Sequence, residues 1–438
     1  MRIKIISAIT ALCMSATVIG VALTANGKGN GVTPSQSQTT VTGSASSSTA
    51  LNVIKYGDKL TQDQVMSQIK AQYLIENGGY KDTDEVVVMV AVDGESLIET
   101  FNGGKTETKS VSEYAESFAG EVQESDIVKK QNAVISALQA SGLITGVEYR
   151  YTTVLNAFAV NTVYGNLEKI EKTAGVKSVS LSDTYNRVET QMTDSSANPL
   201  NVVDIDENTG IYNNTSKYTG LGTVTAVLDS GFDMSHRVFA RDYEGKEDKL
   251  VISKTGSTSE LEVKNVEGGA VKLADLKAGQ TTKGLKVKDV YYSQKIPFAY
   301  DYADKDPDVF PYDSEHGTHV AGIIAGDDEV IHGIAPDTQL VLMKVFPDLD
   351  SGGKTEDIIA ALEDAVRFKV DAINMSLGTS CGFSRECDED PDKPNVAKVY
   401  DAINDSGISL ITAASNSYSA GFGGEQGNTN MVTNPDSG

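Results

Sequence analysis

His316-Gly317-Thr318-His319-Val320-Ala321-Gly322 opens a run of small and apolar residues that continues through Ile323-Ile324-Ala325. The run predicts a helix over 316–325 with a histidine at its mouth. Upstream, Thr223-Val-Thr-Ala-Val-Leu228 is a buried-strand pattern that ends in Asp229-Ser-Gly231. Downstream, apolar strands are predicted at 339–345, 371–375 and 408–414, with further helices over 356–368 and 395–405. Thr355 is the expected cap of the first of these, with Glu356 and Asp357 in its electropositive first turn. Gly407 is the expected stop of the second. Strands alternating with helices imply an α/β fold with a parallel sheet and helices on its faces. Sites in such sheets gather where strands end, and Asp229, Ser376 and Asn416 all stand at predicted strand ends.

The 438 residues are 39% hydrophobic, enough for more than one core. The net charge is −24 and is spread along the chain, with no basic patch. That balance excludes a nucleic-acid-binding reading. Arg2 and Lys4 precede an uncharged apolar stretch to Ala25, so residues 1–25 read as an export signal and the protein as secreted or cell-surface. The run is also long enough for a membrane anchor, but Thr, Ser and Gly dilute it. Residues 26–79 are a low-complexity linker and lead-in, with Gly, Ser, Thr and Gln dominating 26–50. Outside the signal only Cys381 and Cys387 remain. A short-loop disulfide and two free thiols are both compatible with that spacing.

Residues 80–192 read as a smaller domain. Strands are expected at 86–92, 147–153, 157–160 and 176–181, and helices at 125–140 and 167–174. That order is a split βαβ, ferredoxin-like pattern. Residues 193–438 carry the parallel-sheet pattern, interrupted over about 241–300 by a polar, Lys-, Glu- and Gly-rich surface insertion.

Hydrolysis of a peptide by a serine needs a base for the hydroxyl proton, an acid to hold that base, and donors for the oxyanion. A neutral imidazole at His316 suits the base, and Asp229 suits the orienting acid. Taken singly, a strand-end Asp is usually a turn former and a lone His usually structural. A His316–His319 metal pair lacks the glutamate and the further ligand that zinc motifs supply. The full string, with Asp229 before it, resembles the subtilisin-like serine proteases, and the segment 80–438 is similar to the large cell-envelope subtilases of Gram-positive bacteria. The resemblance implies a subtilisin-like fold and a secreted endopeptidase acting on polypeptides. It implies Asp229 and His316 as catalytic residues, Asn416 as the oxyanion-hole donor, and backbone pairing of substrate with Ser376-Leu377-Gly378. It assigns His319 a structural role in the helix. Ser415 stands where the family usually has glycine, in Ala413-Ala-Ser-Asn416. The resemblance further implies that 80–192 is an intramolecular inhibitory propeptide whose tail, about Asp183–Thr193, lies in the substrate cleft.

Calcium is a common requirement of the family, yet no cofactor is read with certainty here. Gly326–Gly333 is short for a calcium loop, although Asp327, Asp328 and Glu329 are able to hold a cation weakly. Cell-wall attachment is an expectation for a longer form. The Gly-Thr-Ser-Met-Ala-Ser-Pro-like string of the family nucleophile does not occur. The single Gly378-Thr379-Ser380 continues the substrate strand and runs into Cys381. These residues are therefore expected to be the N-terminal part of a precursor, inactive alone. Two other readings stand beside it. One is a non-catalytic fragment that inhibits or helps fold subtilases through 80–192. The other is a cysteine hydrolase using Cys381, which lacks a helix-start context.

Overall fold

The computed structural model describes residues 80–182, 184–187, 218–240, 249–252, 262–265, 270–282, 284–329, 331–348, 352–378 and 396–413. The first lobe begins with β1 (Glu85–Val92), followed by α1 (Leu97–Asn102), α2 (Val111–Ala115) and α3 (Phe118–Ala140). Then come β2 (Gly146–Tyr151), β3 (Ala157–Val163), α4 (Leu167–Glu171) and β4 (Val176–Leu181). The four strands form one sheet in the order β2-β3-β1-β4, and every neighbouring pair is antiparallel. This is the split βαβ arrangement, and α3 and α4 cover it through Val134, Ile135, Leu138 and Ile170. Two short helices, α1 and α2, were not expected. Each starts at a serine that accepts from the backbone three residues on, and at α1 Ser96 and Glu99 complete a reciprocal capping box.

After a short strand, β5 (Thr184–Arg187), the second lobe starts at β6 (Val224–Asp229). The insertion contributes β7 (Leu250–Ile252), β8 (Glu262–Asn265), β9 (Ala270–Lys272), α5 (Lys277–Thr281) and α6 (Val287–Val290). It is not wholly superficial: Leu276 and Ala278 are fully buried, and α5 packs under the later helix α8. The chain continues through β10 (Phe298–Asp301), α7 (His316–Ala325), β11 (Gln339–Lys344) and β12 (Gly352–Lys354). It ends with α8 (Thr355–Arg367), β13 (Ala372–Met375), β14 (Leu377–Gly378), α9 (Val396–Asp405) and β15 (Ser409–Thr412). The α8 N-cap is Lys354, with no side-chain cap bond, so Thr355 is the first helical residue rather than the cap.

The main sheet is parallel, in the order β10-β11-β6-β13-β15. Alternate residues of its strands enter different cores. Val224, Ala226, Leu228, Val341 and Met343 share a cluster with α8 and α9, while Val227, Leu340 and Leu342 share one with Ala321 and Ala325 of α7. Both faces are thus covered, which is why these strands read as nearly unbroken apolar runs. The chain leaves β6 for the edge strand β10, returns to β11 beside β6, then crosses to β13 on its other side. Asp229 therefore ends the strand at which the order reverses, the place where open α/β sheets form their crevice.

Candidate active site

Asp229 is 1% exposed, and its Oδ1 lies 2.8 Å from His316 Nδ1. The same oxygen accepts from the Ser230 amide at 2.7 Å. Among the described residues Oδ2 is buried without a partner. The imidazole is mostly covered but keeps an open edge, at 12% side-chain exposure. With its Nδ1 proton given to Asp229, the ring carries its lone pair on Nε2, the tautomer a general base needs.

Backbone features bring the pair together. Beyond Asp229 the chain turns at Gly231, with φ of 142°, and a Cβ there would stand 2.8 Å from Pro311 Cα. The loop is tied to the segment before α7 by Phe232 N–H to Val309 O and by Ser230 Oγ to Ser314 O, at 2.6 and 3.2 Å. Asp233 N–H donates to Thr318 Oγ1 at 2.8 Å. Gly317 is what lets the first turn of α7 touch the end of β6: an added Cβ would meet Gly231 O at 2.4 Å and the Asp229 Cβ at 3.0 Å. Gly317→Ala is expected to destabilise the fold by about 1–3 kcal/mol and to pull His316 from Asp229. A lowered thermal midpoint with loss of the histidine–aspartate contact in a crystal of the variant would show it; unchanged melting would contradict it.

Beside this pair a three-stranded antiparallel sheet forms in the order β12-β5-β14. Tyr185 and Asn186 of β5 pair with Gly353 and Gly352, while Asn186 and Arg187 pair with Gly378 and Leu377. The strand Leu377–Gly378, read from sequence as a substrate holder, thus holds an extended segment of this same chain. Tyr185 is 1% exposed within that sheet. Ser376 precedes β14, and its Oγ accepts from Asn374 Nδ2 at 3.0 Å. The partner strand Gly352–Lys354 was not foreseen; two adjacent glycines before a helix read as a turn rather than as a strand. Asn416, Cys381 and Cys387 lie outside the described residues, as do most of the expected tail positions.

The other histidines stand apart. His319, read as a structural helix residue, is exposed on α7. His236 accepts from Val238 N–H, and His332 Nδ1 lies 2.8 Å from Asp327 Oδ1. Asp328 pairs with Arg237 at 2.9 Å. Asp327 and Asp328 thus already have protein partners, one in His332 and the other in Arg237. A second set of acids, Asp301, Asp304 and Asp348, converges within 4.8 Å, but the Lys344 ammonium donates to all three. Burial opposes the charge on Lys344, yet hydrogen bonds to Asp301 and Asp348 hold its pKa up at about 12. The cation at this place is the lysine. Lys344 is also the strand partner of Asp229, so the network braces the β10 and β11 ends beside the candidate pair.

The sequence model of the subtilase family, peptidase S8, matches residues 220–437. The PI-type proteinase of Lactococcus lactis subsp. cremoris is 31% identical over 306 residues, 67% of this chain and 14% of that protein. The C5a peptidase of a Streptococcus pyogenes serotype M6 strain is 31% identical over 214 residues, 47% of this chain and 15% of that protein. The chain therefore spans about one seventh of the length of these relatives. Among solved structures, fervidolysin from Fervidobacterium pennivorans, described as a keratinolytic enzyme related to subtilisin, aligns with a TM-score of 0.41 and 15% identity, over 78% of this chain and 41% of that one. The shared sequence begins just ahead of the strand that delivers Asp229 and runs past the fifth strand of the sheet, and through it this chain belongs to the subtilase family.

Proposed function

We propose that the chain is part of an exported serine endopeptidase precursor that cleaves polypeptides, with Asp229 and His316 as its acid–base pair. The observation that carries this reading is the 2.8 Å contact between His316 Nδ1 and buried Asp229, beside a strand that holds extended backbone. In the reaction His316 Nε2 takes the proton of a serine hydroxyl as that oxygen attacks the scissile carbonyl. Asp229 stabilises the imidazolium, and the proton then passes to the leaving amine. Asn416 is assigned to the oxyanion, and Ser376-Leu377-Gly378 to backbone pairing with the substrate. The segment 80–192, whose β5 lies along β14, is assigned as an intramolecular propeptide. The charged start and apolar run of residues 1–25 support export to the medium or the cell surface.

The nucleophile is not supplied by any serine string within these 438 residues. The purified 438-residue chain is accordingly expected to show no turnover of casein or a fluorogenic peptide. A form of the protein that carries the serine string should turn both over and lose that activity with His316→Ala. Turnover by the 438-residue chain that disappears with His316→Ala would overturn the placement of the nucleophile. A folded serine-bearing form without activity would overturn the peptidase reading itself.

A further inference from the structure

Helix α8, which packs at the seam between the 80–182 lobe and the parallel-sheet lobe, carries four buried carboxylates. Glu356, Asp357, Glu363 and Asp364 all lie on α8, and each is at most 6% exposed. Three of them are provided for. Glu363 accepts from the Thr152, Thr153 and Val154 amides. Asp364 accepts from the Lys277 and Ala278 amides and from Tyr302 Oη. Glu356 receives Ser182 Oγ. Asp357, at 5% exposure, has no hydrogen-bond or ion-pair partner among the described residues.

The groups facing Asp357 come from three elements. Glu356 is its neighbour on α8; Glu148, Tyr149 and Tyr151 come from β2; Asp301 and Lys305 come from the end of β10 and the turn after it. The cations there are already engaged. Lys305 pairs with Glu148 and stands 4.9 Å from the centre of the Tyr149 ring, while Lys344 pairs with Asp301. Tyr149 and Tyr151 donate to Tyr302 O and Glu356 O, both at 2.8 Å, which ties β2 to the other lobe beside the start of α8. A negative charge on Asp357 would thus be largely buried, with only Lys305, already paired to Glu148, to offset it, and parting the lobes would return it to water.

We propose that this seam is a pH-responsive latch, firm in mild acid and looser toward neutral and alkaline pH, with Asp357 as the group whose ionisation loosens it. The proposal stands on the seam alone and holds whether or not the 80–182 lobe acts as a propeptide. Burial first, then the neighbouring Glu356 carboxylate, pushes the Asp357 carboxyl well above the usual carboxylate range. Burial also pushes Glu356 up. The sign follows from proton uptake. With these pKa values higher in the closed state than in the open one, closure is favoured below the open-state values and loses support as pH rises through the closed-state ones. The seam's ion pairs act in the other direction. Burial works against charge on Glu124 and Glu148, but Arg367 and Thr152, and Lys305 and Asn161, hold these two below the usual range. Their support is lost only in stronger acid, so the latch is firmest in a mildly acidic window.

Hydrogen exchange on the intact 438-residue chain between pH 5 and 8, corrected for intrinsic rates, tests this. Seam amides Thr152, Thr153 and Val154 are expected to lose protection by up to about tenfold per pH unit over part of that range. The Val88, Val90 and Val160 amides inside the first lobe should keep theirs. Asp357→Asn, which carries no charge, should make that loss of protection markedly shallower, leaving the smaller part that the raised Glu356 contributes. Seam protection in the wild-type chain that does not fall with pH would overturn the proposal even if the variant does not fold. A wild-type slope retained by a folded Asp357→Asn chain would overturn the role of Asp357.

Discussion

Asp229→Asn, made in a form of the protein that carries a serine string, should lower kcat on a peptide substrate by about 10⁴-fold while leaving KM nearly unchanged. At about 1.36 kcal/mol per factor of ten, that is roughly 5.4 kcal/mol of transition-state stabilisation. The cause is local. One carboxylate oxygen serves both the Ser230 amide and His316 Nδ1, and the other is buried without a partner among the described residues. An asparagine can place its amide nitrogen toward His316, which forces the ring proton onto Nε2 and removes the base. Alternatively it can place its oxygen there, which buries an NH₂ group where nothing accepts it. In both arrangements the imidazolium formed during attack has lost its counter-charge. Asp229 makes no contact with substrate in this mechanism, so binding should be spared. Steady-state kinetics on wild-type and variant would decide it, and a loss of kcat smaller than tenfold would exclude Asp229 as the orienting acid.

The strands and helices that frame this pair were legible because their residues obey simple periodicities. Val224–Asp229 is buried on both faces and so reads as an apolar run, and α7 begins and ends at the predicted residues. The contact between His316 and Asp229 was legible only through family resemblance. The residues lie 87 positions apart, and nothing in either segment encodes the approach that Gly317 allows. The α1 and α2 helices were missed although Ser96-Leu-Ile-Glu99 and Ser110-Val-Ser-Glu113 carry start signals, because each helix is too short to show an apolar stripe. Helix α8 was placed to within a residue at each end, but the burial of its acids was not foreseen. Glu356, Asp357, Glu363 and Asp364 suggest a solvated face, since acids are rarely buried. They are covered by β2, which lies some two hundred residues earlier, and by the insertion. Burial that depends on a partner so distant in sequence leaves no local trace.

Glu363 gives the second large effect, because it joins the lobes through backbone rather than through side chains. Its carboxylate is fully buried, and it takes the Thr152 and Thr153 amides at 2.9 Å and that of Val154 at 3.2 Å. Successive amides turned to one side make an anion nest, and the glutamate is the anion. Arg367, one helical turn on, donates to Thr153 Oγ1 at 2.8 Å and pairs with Glu124, so one face of α8 clasps the turn after β2. Glu363→Ala would leave three buried donors without acceptors beside a small void. The expected cost to lobe attachment is about 3–5 kcal/mol. Glu363→Gln keeps one acceptor oxygen but turns a donor toward the same amides, so it should cost about 2 kcal/mol. Hydrogen exchange at Thr152–Val154 in both variants measures these losses directly, with the Val88 and Val160 amides reporting whether the first lobe itself stays folded. Wild-type protection at Thr152–Val154 in Glu363→Ala would mean that the apolar contacts of Tyr149 and Tyr151, not the nest, hold the lobes together.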